Sequence, residues 1–184
     1  EFPLGVFSIA LATVILPGLA AQHAAQDPDR FASTLDWAVK LTLVVVLPAT
    51  LALLLLAGPI TVAIFHYGKF DEQDVRMSTL ALMAYSLGLT GFSLVKVLAP
   101  GYFARQDTKT PVKIGVQSLM LSMGLNLVVV LPLALLHPDR PGLHALLALN
   151  TGLGAWFNAA MLYRGLRRQH VLHHAPGWGR TLWQ

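Results

Sequence analysis

Five stretches of this sequence, 4–21, 37–57, 77–102, 112–136 and 143–163, are apolar almost throughout. A helix needs about 20 such residues to cross hydrocarbon roughly 30 Å thick. Inside that layer no water satisfies a backbone N–H or C=O, so the chain must bond to itself as helices or as a closed barrel. A barrel strand alternates apolar and polar residues over about ten positions, and these stretches do not alternate. The expected fold class is therefore all-α, a polytopic transmembrane helix bundle, with 1–184 forming a fragment of one transmembrane domain.

Composition narrows the reading further. Charged residues make up 12% of the chain, against about a quarter in soluble domains. The mean hydropathy of +0.60 agrees. With no cysteine, a disulfide, a thiolate nucleophile and a cysteine metal site are all excluded. The net charge of +4 sits mainly at helix ends, which is placement by membrane sidedness and does not point to nucleic acid. The opening Glu1-Phe2-Pro3 lacks a basic signal-peptide start. The tail around Trp178 and Trp183 reads as the approach to another helix, so an internal fragment of a longer membrane protein is expected.

Local signals set the expected boundaries. Asp27-Pro28 has the form of a helix start, with an aspartate cap and a proline in the first turn. Trp37 and Lys40 suit the headgroup level. Gly58-Pro59 is expected to end the second helix and leave 59–66 as a short interfacial segment, with His66 and Tyr67 as anchors. Asp71, Glu72 and Asp74 suit the first turn of the third helix. Ala84 and Gly88, four apart, permit close helix approach. Pro100-Gly101 marks a kink or an end. Leu43-Val44-Val45-Val46-Leu47-Pro48 recurs as Leu127-Val128-Val129-Val130-Leu131-Pro132, either as a structural repeat or as chance in a Leu/Val-rich alphabet.

Loop charges orient the bundle. Arg105, Lys109 and Lys113 against Asp107 give the loop after the third helix +2. The tail after the fifth carries four arginines and no acid, for +4. Both are expected on the cytoplasmic side. Lys69 and Arg76 against three acids leave the loop before the third helix at −1. The loop after the first helix should also be cytoplasmic, although Asp27, Asp29 and Arg30 make it −1.

Few residues suggest chemistry. Lys96 interrupts the third apolar run, where a lysine costs about 2.5–3.5 kcal/mol on insertion scales. It either faces a cavity or snorkels or pairs structurally. Glu1 is a candidate buried carboxylate or a solvated helix-start charge. Arg105, Lys109 and Lys113 could meet an anionic headgroup or simply set orientation, and Arg164, Arg167 and Arg168 read as orientation. Gln117, Asn126, Asn150 and Asn158 read as helix-to-helix hydrogen bonds. His170, His173 and His174 lack the carboxylate or cysteine a metal site would use, so no metal and no cofactor are expected. No phosphate loop, HExxH or GxSxG appears, so no catalytic residue is assigned.

Several runs carry a family resemblance. They are Glu1-Phe2-Pro3-Leu4-Gly5-Val6-Phe7, Ala12-Thr13-Val14-Ile15-Leu16-Pro17, Gly58-Pro59-Ile60-Thr61, Phe65-His66-Tyr67-Gly68-Lys69-Phe70 and Ala84-Tyr85-Ser86-Leu87-Gly88. The most specific is Val95-Lys96-Val97-Leu98-Ala99-Pro100-Gly101-Tyr102-Phe103-Ala104-Arg105-Gln106-Asp107-Thr108-Lys109-Thr110-Pro111. The chain resembles the MurJ (MviN) family of lipid II flippases, in the MOP exporter superfamily, over nearly its whole length and more loosely from His137 on.

The resemblance implies a two-lobed transporter of fourteen membrane helices, with this chain matching helices eight to twelve and its tail in the cytoplasm. It implies a bacterial inner-membrane protein that moves the undecaprenyl-pyrophosphate-linked peptidoglycan precursor between leaflets by alternating access. The partners implied are lipid II, membrane lipids, and either a coupling ion or the membrane potential. Glu1 matches the charged rim of the family cavity, and Lys96 a family lysine. With Arg105 and Lys109 they form the candidate headgroup set, while the family's cavity arginines have no counterpart here. Three readings stay open beside this one: export of another polyprenyl-linked saccharide or a drug, a non-transporting scaffold for cell-wall synthesis proteins, and a membrane enzyme whose catalytic groups lie elsewhere.

Overall fold

The computed structural model describes residues 4–65, 72–136, 143–169 and 171, and every element among them is helical. A π turn, Leu4–Ser8, leads into α1, Ile9–Ala24. Then come α2, Pro28–Phe65, and α3, Glu72–Phe103. The fourth rod joins α4, Lys109–Leu125, through a π turn at Asn126–Val130 to α5, Leu131–Leu136. Leu143–Arg168 forms α6. Five of these helical stretches are long and apolar enough to cross a membrane.

The second rod corrects the expected boundaries. Rather than stopping at Gly58-Pro59, α2 runs unbroken from Pro28 through Pro48 and Pro59 to Phe65. The segment 59–66 is therefore, as far as Phe65, the continuous end of α2 and not a separate piece. A proline removes one N–H and strains one turn. In apolar surroundings, breaking the helix would orphan several backbone groups, so the helix continues. Its 38 residues span about 57 Å at 1.5 Å per residue. That exceeds the roughly 30 Å of hydrocarbon, so part of the helix extends past it.

Two connections are built alike. At the end of α1, Gln26 adopts φ 54° and at the end of α3, Gln106 adopts φ 59°. In each case the helix closes with a paired set of turn bonds. The N–H of Gln26 reaches His23 O and that of Asp27 reaches Gln22 O; likewise Gln106 reaches Phe103 O and Asp107 reaches Tyr102 O. This is the Schellman arrangement, which satisfies the last carbonyls of a helix. The aspartate that follows then caps the next helix. Asp27 Oδ1 accepts Arg30 N–H at 3.1 Å, and Asp107 Oδ1 accepts Thr110 N–H at 3.0 Å. The Leu43 and Leu127 runs, by contrast, sit in different backbone: the first in continuous helix, the second straddling the π turn.

Packing fixes the helix directions. Thr50 and Thr90 share a hydrogen bond of 3.1 Å, and Leu35 lies against Gly101, so α2 and α3 are antiparallel. Gly88 meets Gly152 and Gly91 meets Ala155, while Tyr102 OH donates to Leu162 O at 2.8 Å. Those pairs advance together, so α3 and α6 run parallel. Both α1–α2 and α3–α4 turns thus lie at one end, with the C-terminal end of α6. The densest apolar packing is also at that end, around Leu19, Leu35, Leu98, Tyr102, Leu162 and Leu166.

The α3–α6 contact rests on missing side chains. A Cβ added at Gly88 would lie 2.7 Å from Gly152 Cα, and one at Gly91 would lie 2.9 Å from Trp156 N. Lipid tails are as apolar as leucine, so helices associate in a membrane through close packing and hydrogen bonds. Trp156 adds one such bond, its indole N–H donating to Leu87 O at 2.9 Å. Gly88→Ala in the full-length protein is expected to destabilise by about 1–3 kcal/mol, an overpacking cost. Gly124→Ala, with open space around it, is expected to be neutral or slightly stabilising. Thermal midpoints of the purified variants in detergent check the contrast.

Candidate functional site

Polar side chains of α4 and α6 meet in a ladder. Ser118 Oγ donates to Gly154 O, Ser122 Oγ donates to Asn150 O at 3.3 Å, and Asn150 Nδ2 donates to Asn126 Oδ1 at 2.8 Å. Gly154 leaves room for the Ser122 bond, because a Cβ on it would overlap Ser122 Oγ and turn that hydroxyl away. Asn126 opens the π turn. A π turn places one extra residue in the helix and occurs often at functional positions.

Beside this ladder runs a groove of about 410 Å³. Its walls are α3 and α4, which scarcely touch each other, and its floor is α6. Lys96, Ser118, Ser122, Asn126, Thr151 and Asn158 supply its polar lining. Lys96 is exposed into it, and Asn158 Oδ1 is buried with no hydrogen-bond partner among the described residues. Gln117, grouped with these amides on sequence, instead lies exposed on the other face of α4.

A second hollow of about 360 Å³ lies where the two like turns and the end of α6 converge. Gln22, His23, Asp27, Phe31, Arg105 and Gln169 line it. Arg105 Nη1 donates to Gln169 Oε1, which ties the α3–α4 turn to α6. Lys109 is exposed in the first turn of α4. Hydrogen bonds from Thr110, first from its side chain and then from its backbone N–H, hold the Asp107 carboxyl below the usual carboxylate range.

Of the residues chosen from sequence, Arg105 lines this hollow and Lys109 starts α4 at the same end. Lys96 stands apart in the groove, nine residues before Arg105 and so about 13 Å deeper along α3. Glu1, the anchors His66 and Tyr67, and the cluster His170, His173 and His174 lie outside the described residues. Among the described residues no group of three or more His, Cys, Asp or Glu could hold a metal. Sequence reasoning marked Asn126 and Asn150 as helix-to-helix bonding and did not find that they bond each other. It missed Gln169, which carries no local signal.

Asp107→Ala removes the α4 cap, with an expected loss of about 0.5–2 kcal/mol. The cap contribution is fully present above the ordinary carboxylate range and disappears as pH falls through the depressed folded value. Melting of Asp107→Ala and the parent, followed down to acid pH, should therefore converge. Asn126→Leu breaks the ladder and should cost about 0.6 kcal/mol, up to about 1.7, as membrane hydrogen bonds do. Chemical unfolding in detergent reads that loss.

The comparisons with known proteins agree along the whole chain. The family described as "Lipid II flippase MurJ" matches residues 1–184. A "Probable lipid II flippase MurJ" of Vibrio cholerae is 43% identical over 183 residues, covering 100% of this chain and 33% of the relative. A "Lipid II flippase MurJ" of Burkholderia cenocepacia is 39% identical over 180 residues, covering 98% and 33%. A solved structure, "Lipid II flippase MurJ, inward closed conformation", superposes with a TM-score of 0.75 over 90% of this chain and 33% of its own, at 24% identity, and so supports the fold. The chain spans about a third of the length of these relatives. Five helices fit to cross a membrane and relatives of this kind make it a multi-pass part of the bacterial inner membrane. By family match and by identity, this chain belongs to the MurJ family.

Proposed function

We propose that this chain is the third of a lipid II flippase that supplies one face of its transport path. The full protein carries the undecaprenyl-pyrophosphate-linked peptidoglycan precursor from the cytoplasmic to the periplasmic leaflet. It does so as a two-lobed transporter of alternating access, and makes or breaks no covalent bond. The observation that carries this reading is the 43% identity to a probable lipid II flippase over the entire chain.

The physical task is to move a charged headgroup past hydrocarbon. Taking an ionised group out of water without partners costs many kcal/mol, so the path must offer polar partners while the prenyl tail stays in lipid. Arg105 and Lys109, at the end where positive charge gathers, suit the capture of a pyrophosphate from the cytoplasmic leaflet. The tight α3–α6 pair suits a lobe that rocks as a rigid body. The coupling ion or potential acts on the whole protein.

Labelled lipid II in cells depleted of the full-length protein tests the proposal. The expected result is loss of the label's appearance on the periplasmic face, followed by lysis. Continued flipping after depletion, with no second flippase present, overturns it. Lysine-to-glutamine and arginine-to-glutamine exchange at Lys109 and Arg105 together should slow flipping more strongly at low ionic strength than at high, since salt already screens these charges in the parent.

A further inference from the structure

We propose that the groove beside Lys96 is filled, in the full-length protein, by another membrane-spanning helix of the same polypeptide that carries a carboxylate at the depth of Lys96. This inference stands on packing and charge and does not depend on what the protein transports.

Three observations lead to it. The first is the absence of a counter-ion. Lys96 is exposed into the groove and makes no ion pair or hydrogen bond among the described residues. No Asp or Glu occurs in 75–106, 108–138 or 143–184. The carboxylates of α2, Asp29 and Asp36, lie in its first turns, and Asp36 is already held by Lys40 at 2.7 Å. Glu72 and Asp74 begin α3 at the far end from Lys96. A lysine about 10 Å inside the end of α3, at seven residues from Phe103, therefore needs its carboxylate from outside these helices.

The second observation is the polar wall. Ser122, Asn126, Thr151 and Asn158 all border the same open space. The first three already hydrogen-bond within the bundle, whereas Asn158 Oδ1 is a buried acceptor with no donor among the described residues. Lipid would leave that acceptor unsatisfied. A neighbouring helix with its own polar side chains would satisfy it. The third is shape and supply. From Gly115 to Asn126 the groove follows α4 for about 16 Å, or three helical turns. It is open on its outer side because α3 and α4 scarcely meet. Two thirds of the length of the relatives lies outside this chain, so further helices of the same polypeptide are available to enter it.

The test uses the full-length protein, with any cysteine outside this region removed. Ser122→Cys should show no labelling by a membrane-impermeant, charged thiol reagent applied from either side. Lys96→Met should lower the thermal midpoint, because it leaves the partner carboxylate buried and unpaired, whereas Lys96→Arg should keep it. Each membrane carboxylate outside residues 1–184 is then changed to its amide in the Lys96→Met background. One of these changes should restore the lost stability, the non-additivity expected of two groups in contact. Labelling of Ser122→Cys would overturn the proposal by showing a groove open to water. An unchanged midpoint for Lys96→Met, or no restoring carboxylate, would overturn it by showing a groove that faces lipid.

Discussion

The close approach of α3 and α6 is the contact on which the other helices depend. In water, two helices are driven together by burying apolar surface. In a bilayer that drive is absent between helices, and packing must supply the attraction. Glycine at 88, 91 and 152 lets two backbones come near enough for dense van der Waals contact along several turns. The resulting parallel pair presents one side to α2 and the other to α4. The Tyr102 hydroxyl and the Trp156 indole then lock it with bonds to carbonyls of the opposite helix.

From that pair follows an uneven molecule. One end holds the two like turns, the apolar cluster around Tyr102 and the positive charge. Further in, α4 leans on α6 through its hydroxyl and amide ladder but stands away from α3. The wedge between them carries Lys96 and several hydroxyl and amide groups where a lipid-facing surface would be apolar, so it suits a neighbouring helix better than lipid.

Much of this was legible where the cause is local. The five apolar runs gave the helices, because hydrocarbon enforces helix over any stretch of that length. Asp27 before Pro28 announced its cap. Ala84 and Gly88 announced a close helix approach, yet their partner Gly152 lies 64 residues farther on from Gly88 and no periodicity names it. Pro59 misled the boundary, since a proline rule drawn from water overstates its power inside a long apolar helix. Lys96 could be flagged as costly, but which helix it faces depends on α3 and α4 diverging, a property of packing. Arg105 read as a loop cation for a headgroup or for orientation, and its tie to Gln169, 64 residues on, has no local signal; Glu1 lies outside the described residues.

The central claim is that these helices cross the membrane in alternation, with the α1–α2 turn, the α3–α4 turn and the end of α6 on the cytoplasmic side. Single cysteines at Arg30, Gln106, Arg168 and Arg76 in the full-length protein test it most directly, read by a charged thiol reagent on intact cells and on inverted membrane vesicles. The first three should react only in inverted vesicles and Arg76→Cys only in intact cells. Reaction of any of the first three from outside, or of Arg76→Cys from the cytoplasmic side alone, would contradict the account.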